Sequence, residues 1–298
     1  MDLKGISLAA NGRLIRLKWH QLRRTSDDPL FTIANLVLGL RQGASVEIDV
    51  EIMKDGRLVV LHGPMLEMET TGTGRVDTVD PEAVLSARMV HPDGHAMDNG
   101  PILLSDLLHA VREVASDLPC AGLETGPLLQ LDIKARSELI SENVSREFAR
   151  QIEPISDYIC LGATDYRQVQ HLGRHYPQVL RGFDPEEIML DPKWSREFDI
   201  GWVARTICSI APDARIAYLS LELVVPGIRA GKNLISAIRE RGYFVDCWRL
   251  EADDPDAADM LKVIVDAGAD QITTNNSLAI ERLWLSEVRK ALTPRTVP

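Results

Sequence analysis

Acidic side chains occur in this sequence where apolar ones would be expected. Residues 45–50 alternate, with Val46, Ile48 and Val50 on one face and Glu47 and Asp49 on the other, because successive side chains of a strand point to opposite sides. Asp is depleted in strands, and two like charges buried side by side are costly unless paired or bound to a cation. A solvated face of a half-exposed strand is the alternative. The later run Leu131-Asp132-Ile133-Lys134 repeats the pattern, with a local ion pair of Asp132 and Lys134 as the alternative. Glu47, Asp49 and Asp132 together would give three convergent carboxylates. An all-oxygen donor set suits one divalent cation of the Mg2+, Ca2+ or Mn2+ kind, and not a zinc site built from His and Cys.

His20 and His62 end two further apolar segments, 14–19 and 57–62. Imidazole titrates near neutral pH, so a pair beside a carboxylate cluster can divide the work of general base and general acid. Which does which is open, and packing is the alternative for each. The other histidines, His91, His95, His109, His171 and His175, fall on helix-like segments or in a polar stretch, away from strand ends.

The elements that must position these residues alternate along nearly the whole chain. Strand-like segments at 14–19, 45–50, 57–62, 128–133, 157–161, 178–181, 215–221, 243–250 and 271–274 are interleaved with helix-like segments at 30–41, 103–115, 138–151, 165–175, 231–241, 255–267 and 277–290. Such alternation implies parallel strands with crossover helices. Eight or nine strands in one run favour an α/β fold closed into a (β/α)8 TIM barrel, with an open doubly wound sheet as the alternative. The count is not clean, because the segments near Val46 and Val59 are joined by the turn Lys54-Asp55-Gly56. Residues 63–101 are polar, too long for an ordinary loop, and read as a small insertion within a single domain spanning 1–298. Residues 291–298 read as a frayed tail. In such barrels the active site lies at the C-terminal ends of the strands, which is where His20, Glu47, Asp49, His62, Asp132, Lys134, Trp248 and Asn275 fall.

Composition narrows the function. With 33 basic and 44 acidic residues the net charge is −11, which argues against nucleic acid as the main partner. No apolar run approaches the length of a membrane span, and the N-terminal residues lack the continuous apolar stretch of a signal peptide. Cys120, Cys160, Cys208 and Cys247 are widely spaced and fit free thiols in a reducing, cytoplasmic setting. Phe31, Met65, Met68 and Trp194 suit core packing first, and a pocket wall or homo-oligomer face second.

The segment Gly43-Ala44-Ser45-Val46-Glu47-Ile48-Asp49-Val50, followed by Lys54-Asp55-Gly56 and Leu58-Val59-Val60-Leu61-His62, resembles the signature of glycerophosphodiester phosphodiesterases. So do Thr70-Thr71-Gly72-Thr73-Gly74-Arg75-Val76, Leu131-Asp132-Ile133-Lys134, residues 242–248 and residues 268–275. The resemblance covers most of residues 13–283 and is weak between 181 and 221. It implies a (β/α)8 barrel that hydrolyses a small phosphodiester, as in lipid metabolism, with one divalent cation. By matching position Glu47, Asp49 and Asp132 would be metal ligands, Asp132 standing where the family has Glu. His20 and His62 would be the catalytic imidazoles, Lys134 would contact phosphate, and Trp248 would line the substrate pocket. The chain departs from the pattern after His20, where Gln21-Leu22 replaces Arg-Gly. Arg23 or Arg24 would then have to take over the lost phosphate contact. Further departures are Pro29-Leu30-Phe31-Thr32 for Pro-Glu-Asn-Thr, His62-Gly63 for His-Asp, and Thr274-Asn275 for Thr-Asp. They keep open two other readings: an enzyme that forms or transfers a phosphodiester of a sugar or lipid alcohol, and a non-catalytic barrel that binds phosphorylated ligands.

Overall fold

A computed structural model describes residues 3–124, 126–190 and 199–288. The expectations for Trp194, for the last residues of the closing helix and for the tail at 291–298 lie outside them. Strands β1 (Ser7–Ala10), β2 (Arg13–Trp19), β3 (Ser45–Ile52), β4 (Leu58–Val60), β5 (Ile102–Leu103), β6 (Leu129–Ile133), β7 (Ile159–Gly162), β8 (Leu180–Phe183), β9 (Ile216–Ser220), β10 (Phe244–Trp248) and β11 (Gln271–Thr274) form one sheet. Among the described residues, β2, β3, β6, β7, β8, β9, β10 and β11 pair in parallel in that order, and β11 returns to β2 to close the barrel. The helices are α1 (Ile33–Gln42), α2 (Pro81–Leu85), α3 (Leu104–Val114), α4 (Glu142–Ile152), α5 (Tyr166–Leu172), α6 (Glu186–Leu190), α7 (Ile200–Ile210), α8 (Leu221–Arg229), α9 (Leu234–Arg239), α10 (Ala257–Ala267) and α11 (Ser277–Leu283).

The uneven strand count has a simple cause. β4 turns back antiparallel on β3, pairing Val50 with Val60, and β5 extends that ribbon outside the barrel. β1 forms a hairpin with β2 and also stays outside the ring. The structure departs from the sequence reading mainly between 181 and 230. β8 begins two residues later than expected, and α6, α7 and α8 occupy a stretch that carried no helix in that reading. Pro226 inside α8 and glycines at 201 and 227 mask the helical period there.

Every residue of β3 is buried. Val46, Ile48 and Val50 belong to the main apolar core, so by alternation Glu47 and Asp49 share the opposite side of the strand. α1 starts at Thr32, whose hydroxyl accepts the Asn35 N–H at 3.3 Å, and ends at Gly43 in a left-handed conformation. It packs closely because position 39 has no side chain. A Cβ at Gly39 would lie 2.8 Å from Val46 Cγ1 and 3.1 Å from the Trp19 ring. Residues 63–101 hold α2 and three isolated antiparallel bridges. Leu66, Val76, Val84, Met89 and Met97 join the barrel's own core cluster, and Asp77 accepts from Arg136, just beyond β6, at 3.1 Å.

The barrel interior carries a polar layer. Lys18 on β2 lies 2.6 Å from Asp246 on β10, both almost fully buried, and it also donates to Gln130 on β6. Asp246 accepts from Gln271 at 2.7 Å and Thr273 at 2.8 Å. Removing one partner of such a pair leaves an uncompensated buried charge. Asp246→Ala is therefore expected to destabilise the chain by about 3–5 kcal/mol in urea unfolding, with part of the loss recovered on adding Lys18→Met. A loss under about 1 kcal/mol would mean that the pair contributes little.

Candidate active site

β3 and β6 are parallel neighbours whose register sets Glu47 beside Gln130 and Asp49 beside Asp132. The three carboxylates therefore meet, with one oxygen from each of Glu47, Asp49 and Asp132 lying within 4.8 Å of the others. Lys134 reaches back between two of them, its Nζ 2.6 Å from Asp132 Oδ2 and 3.3 Å from Asp49 Oδ1. Burial, with Asp49 and Asp132 close by, pushes the Glu47 carboxyl well above its ordinary range. Burial also raises Asp49, against the pull of Lys134 and His62. At Asp132 the burial cost is outweighed by the charge and hydrogen bond of Lys134, which hold it low. The cluster is thus short of positive charge, and its oxygen donors fit a hard divalent cation.

The chain following β2 is bent to serve these acids. Gln21 and Leu22 both adopt left-handed backbone angles, φ 53° and 60°, a conformation that costs side-chain-bearing residues energy and clusters at functional sites. The bend aims the Gln21 N–H at Glu47 Oε2, 2.9 Å away, and brings Gln21 Nε2 to 3.4 Å from Asp49 Oδ2.

His20 sits beside this bend. Its Nδ1 lies 2.8 Å from Asn275 Oδ1. The orientation of that amide is set by its other contacts: Asn275 Nδ2 donates to Glu251 Oε1 at 2.5 Å, and Arg23 donates to Asn275 Oδ1. An amide oxygen only accepts, so His20 Nδ1 carries the proton. Nε2 then presents its lone pair, 3.9 Å from Glu47 Oε2. Burial lowers the His20 pKa to about 3, the Asn275 bond opposing and the charges of Arg249, Arg23 and Lys18 assisting. The ring is neutral at physiological pH.

His20, Gln21, Glu47, Asp132 and Lys134 line a cavity of about 300 Å3 with Lys18, Gln130, Thr164, Asp184, Glu186, Tyr218, Trp248, Arg249 and Thr273. His62 is on its wall, and the backbone N–H groups of His62 and Gly63 both donate to Glu69 Oε1. Burial, with Asp49 second, lifts the Glu69 carboxyl to about 7. Neither Arg23 nor Arg24 lines the cavity, a correction to the expectation that one of them faces the substrate. Arg23 is buried behind it, donating to Gln21 Oε1 at 3.1 Å as well as to Asn275. Arg24 turns away, bonded to the backbone carbonyls of Leu3 and Lys4. Phe31 is a core residue, whereas Met68 is exposed.

The sequence model of the glycerophosphoryl diester phosphodiesterase family matches residues 31–279. The chain belongs to this family. It is a phosphoric diester hydrolase on a (β/α)8 barrel, and the third reading, a barrel without catalysis, is set aside. No curated protein matches the sequence. Solved structures do, at low identity. A glycerophosphoryl diester phosphodiesterase from Parabacteroides distasonis is 17% identical, covering 97% of this chain and 91% of its own, with a TM-score of 0.63. A glycerophosphodiester phosphodiesterase from Agrobacterium tumefaciens is 16% identical over 90% and 99%, with a TM-score of 0.60. An Oleispira antarctica phosphodiesterase in complex with the product sn-glycerol-3-phosphate is 15% identical over 91% and 96%, with a TM-score of 0.61. These likenesses support the fold.

Several groups at the phosphodiesterase site had no signal in the sequence. Arg249 follows the expected pocket residue Trp248 directly and could have been suspected from that adjacency. Asp184 and Glu186 lie just after β8, where the sequence pattern was weakest. Burial raises both carboxyls, with Asp132 adding to the effect at Asp184 and Glu222 at Glu186. Among the described helices none is long and apolar enough to cross a membrane.

Proposed function

We propose that this phosphodiesterase hydrolyses a small, hydroxyl-rich glycerophosphodiester with the help of one divalent cation. The observation that carries the reading is the convergence of Glu47, Asp49 and Asp132 beside a cavity that Glu47, Asp132, His20 and His62 line. The cation, of the Mg2+, Ca2+ or Mn2+ kind, would be held by those three carboxylates and would stabilise negative charge developing on the phosphoryl oxygens. His20 acts as the general base, because its Nε2 lone pair is free and its ring neutral. It takes a proton from the attacking water. His62 gives a proton to the departing alkoxide as the phosphorus–oxygen bond breaks. Lys134 holds Asp49 and Asp132 in place at the edge of the phosphoryl site. Trp248 forms an apolar wall for the alcohol. Four free thiols, two of them buried, support a reducing cytoplasmic setting.

The substrate class follows from the lining. About 300 Å3 of space is walled largely by charged and hydroxyl-bearing side chains, with Trp248 and Tyr218 as its aromatic surface; it is too small for a long acyl chain, and Gln130, Tyr218 and Thr273 can exchange hydrogen bonds with a polyol. Turnover of water-soluble glycerophosphodiesters, dependent on added cation and lost in Glu47 and His62 variants, tests the reading. Turnover that survives both substitutions, or that needs no cation, would sink it. A competing alcohol in the assay separates hydrolysis from transfer, since transfer yields a new diester.

Arg249 takes the role left open by the missing motif arginine. Lys18 is neutralised by Asp246 and Lys134 by two carboxylates. Among the described residues Arg249 has one ion pair, 3.0 Å to Glu251, and its side chain is 50% exposed, so it can turn to meet an anion. Charge-assisted hydrogen bonds are worth roughly 1.5–3 kcal/mol. Arg249→Ala should then raise KM about ten- to a hundredfold, with little change in kcat or in cation affinity by calorimetry. An unchanged KM would remove Arg249 from the substrate site.

A further inference from the structure

We infer that His91, Asp93 and His95, at the tip of the insertion, form a second metal site, one that takes a borderline transition ion of the zinc, cobalt, nickel or copper kind. The site is independent of the three-carboxylate cluster and of the activity proposed above.

The turn is built to bring the three side chains together. It reads His91-Pro92-Asp93-Gly94-His95 and is flanked by an antiparallel bridge between Val90 and Ala96. The His91 N–H donates to the His95 carbonyl at 2.9 Å and the Gly94 N–H to the His91 carbonyl at 2.7 Å. Gly94 takes the left-handed angle, φ 95°, that reverses the chain. The two imidazoles consequently stack, with centroids 4.9 Å apart and planes 24° apart. Both direct Nδ1 at the same oxygen, Asp93 Oδ1.

The protonation of His91 makes this arrangement informative. Its Nε2 lies 3.2 Å from the Ser26 carbonyl oxygen. A carbonyl only accepts, so Nε2 bears the hydrogen, and in the neutral ring Nδ1 is left with a bare lone pair. That lone pair faces a carboxylate oxygen 3.2 Å away. The one hydrogen bond directed at it, from the Asp93 N–H, is long at 3.4 Å. The carboxylate oxygen already accepts from the His95 N–H and contacts His95 Nδ1 at 2.5 Å, so the His91 Nδ1 lone pair is the donor left open to a cation at this point.

The surroundings favour the ion. One donor atom from each of the three residues lies within 4.8 Å of the others. Ligands about 2.0–2.2 Å from a tetrahedral ion stand roughly 3.5 Å apart, so small side-chain rotations suffice. A backbone carbonyl on the distal nitrogen is the usual outer partner of a metal-bound imidazole, and Ser26 supplies it. Two imidazoles and one carboxylate select the borderline ions over Mg2+ and Ca2+. A depression of about 390 Å3, lined by Asp27, Thr32, His91, His95 and Asn99 among others, adjoins the site and leaves room for water as a remaining ligand. Bound there, the ion would pin the insertion's tip to the segment carrying Ser26 and Asp27, which leads from His20 into α1.

The test titrates zinc into the full-length protein with Mg2+ in excess. Calorimetry and thermal unfolding follow zinc binding, and Co2+ in place of zinc gives a visible spectrum that reports imidazole ligation. The wild type should bind one zinc with a rise in melting temperature. Glu47→Gln should bind it equally well. His95→Ala and His91→Ala should each weaken it by about tenfold or more. The His95 side chain is 62% exposed, so its loss leaves the fold intact. Absence of zinc binding in the wild type would overturn the inference. Zinc binding lost in Glu47→Gln and kept in His95→Ala would overturn it as well.

Discussion

Glu47→Gln is expected to slow turnover about a thousandfold, since a bound cation supplies several kcal/mol of transition-state stabilisation and each decade of rate is about 1.4 kcal/mol. The same substitution should make the metal-free chain more stable. Glu47 is buried against Asp49 and Asp132, and its carboxyl is raised above 4.5 for that reason. The folded state therefore holds the proton more tightly than the unfolded state. The wild type loses stability as pH rises from the unfolded value through the folded one, and stays low above it. A neutral amide keeps an oxygen to accept the Gln21 N–H and escapes that loss. The gain should be about 1–2 kcal/mol, or a few degrees in melting temperature, measured at pH 8 in a chelator. It should be smaller at pH 4. With saturating Mg2+ the order should reverse, because the wild type alone gains binding free energy. A variant less stable than wild type in the chelator would contradict a crowded, cation-poor carboxylate cluster.

His62→Ala and His20→Ala should each lower kcat by about 10²–10⁴, the range for losing one proton-transfer group. The two should differ in what rescues them. A diester with a nitrophenol leaving group needs no proton on departure, so His62→Ala should recover most of its rate on that substrate. His20→Ala should not, because the attacking water still requires a base. Cation affinity should be near wild type in both, which separates lost chemistry from lost metal. Rescue of His20→Ala in place of His62→Ala would exchange the two roles. Asn275→Ala should act in the same direction as His20→Ala and more weakly, because it removes the acceptor that fixes the His20 tautomer.

The local pattern of the chain carried much of this. Strict alternation in β3 already put Glu47 and Asp49 on one face, and the same pattern put Asp132 and Lys134 at the end of β6. Strand ends pointed to His20 and Trp248, because parallel barrels open at that edge, whereas His62 reaches the cavity because β4 folds back antiparallel on β3. Periodicity is a property of neighbouring residues, so it can be read without knowing the fold. Distances across the barrel are not. Asp49 and Asp132 meet because β3 and β6 pair in one register. Lys18 meets Asp246 because closure pairs β2 with β11, which sets β2 next but one to β10. Arg24 turned outward, and Arg249 came in, through backbone geometry that no spacing rule encodes. Likewise the tautomers of His20 and His91 depend on Asn275 and Ser26, which lie 255 and 65 residues away in the chain. The sequence by itself determined which chemistries were available and on which faces they stood. Tertiary structure decided which charges are neutralised, which imidazole nitrogen is free and which arginine lines the cavity, because those depend on contacts made only when the barrel closes.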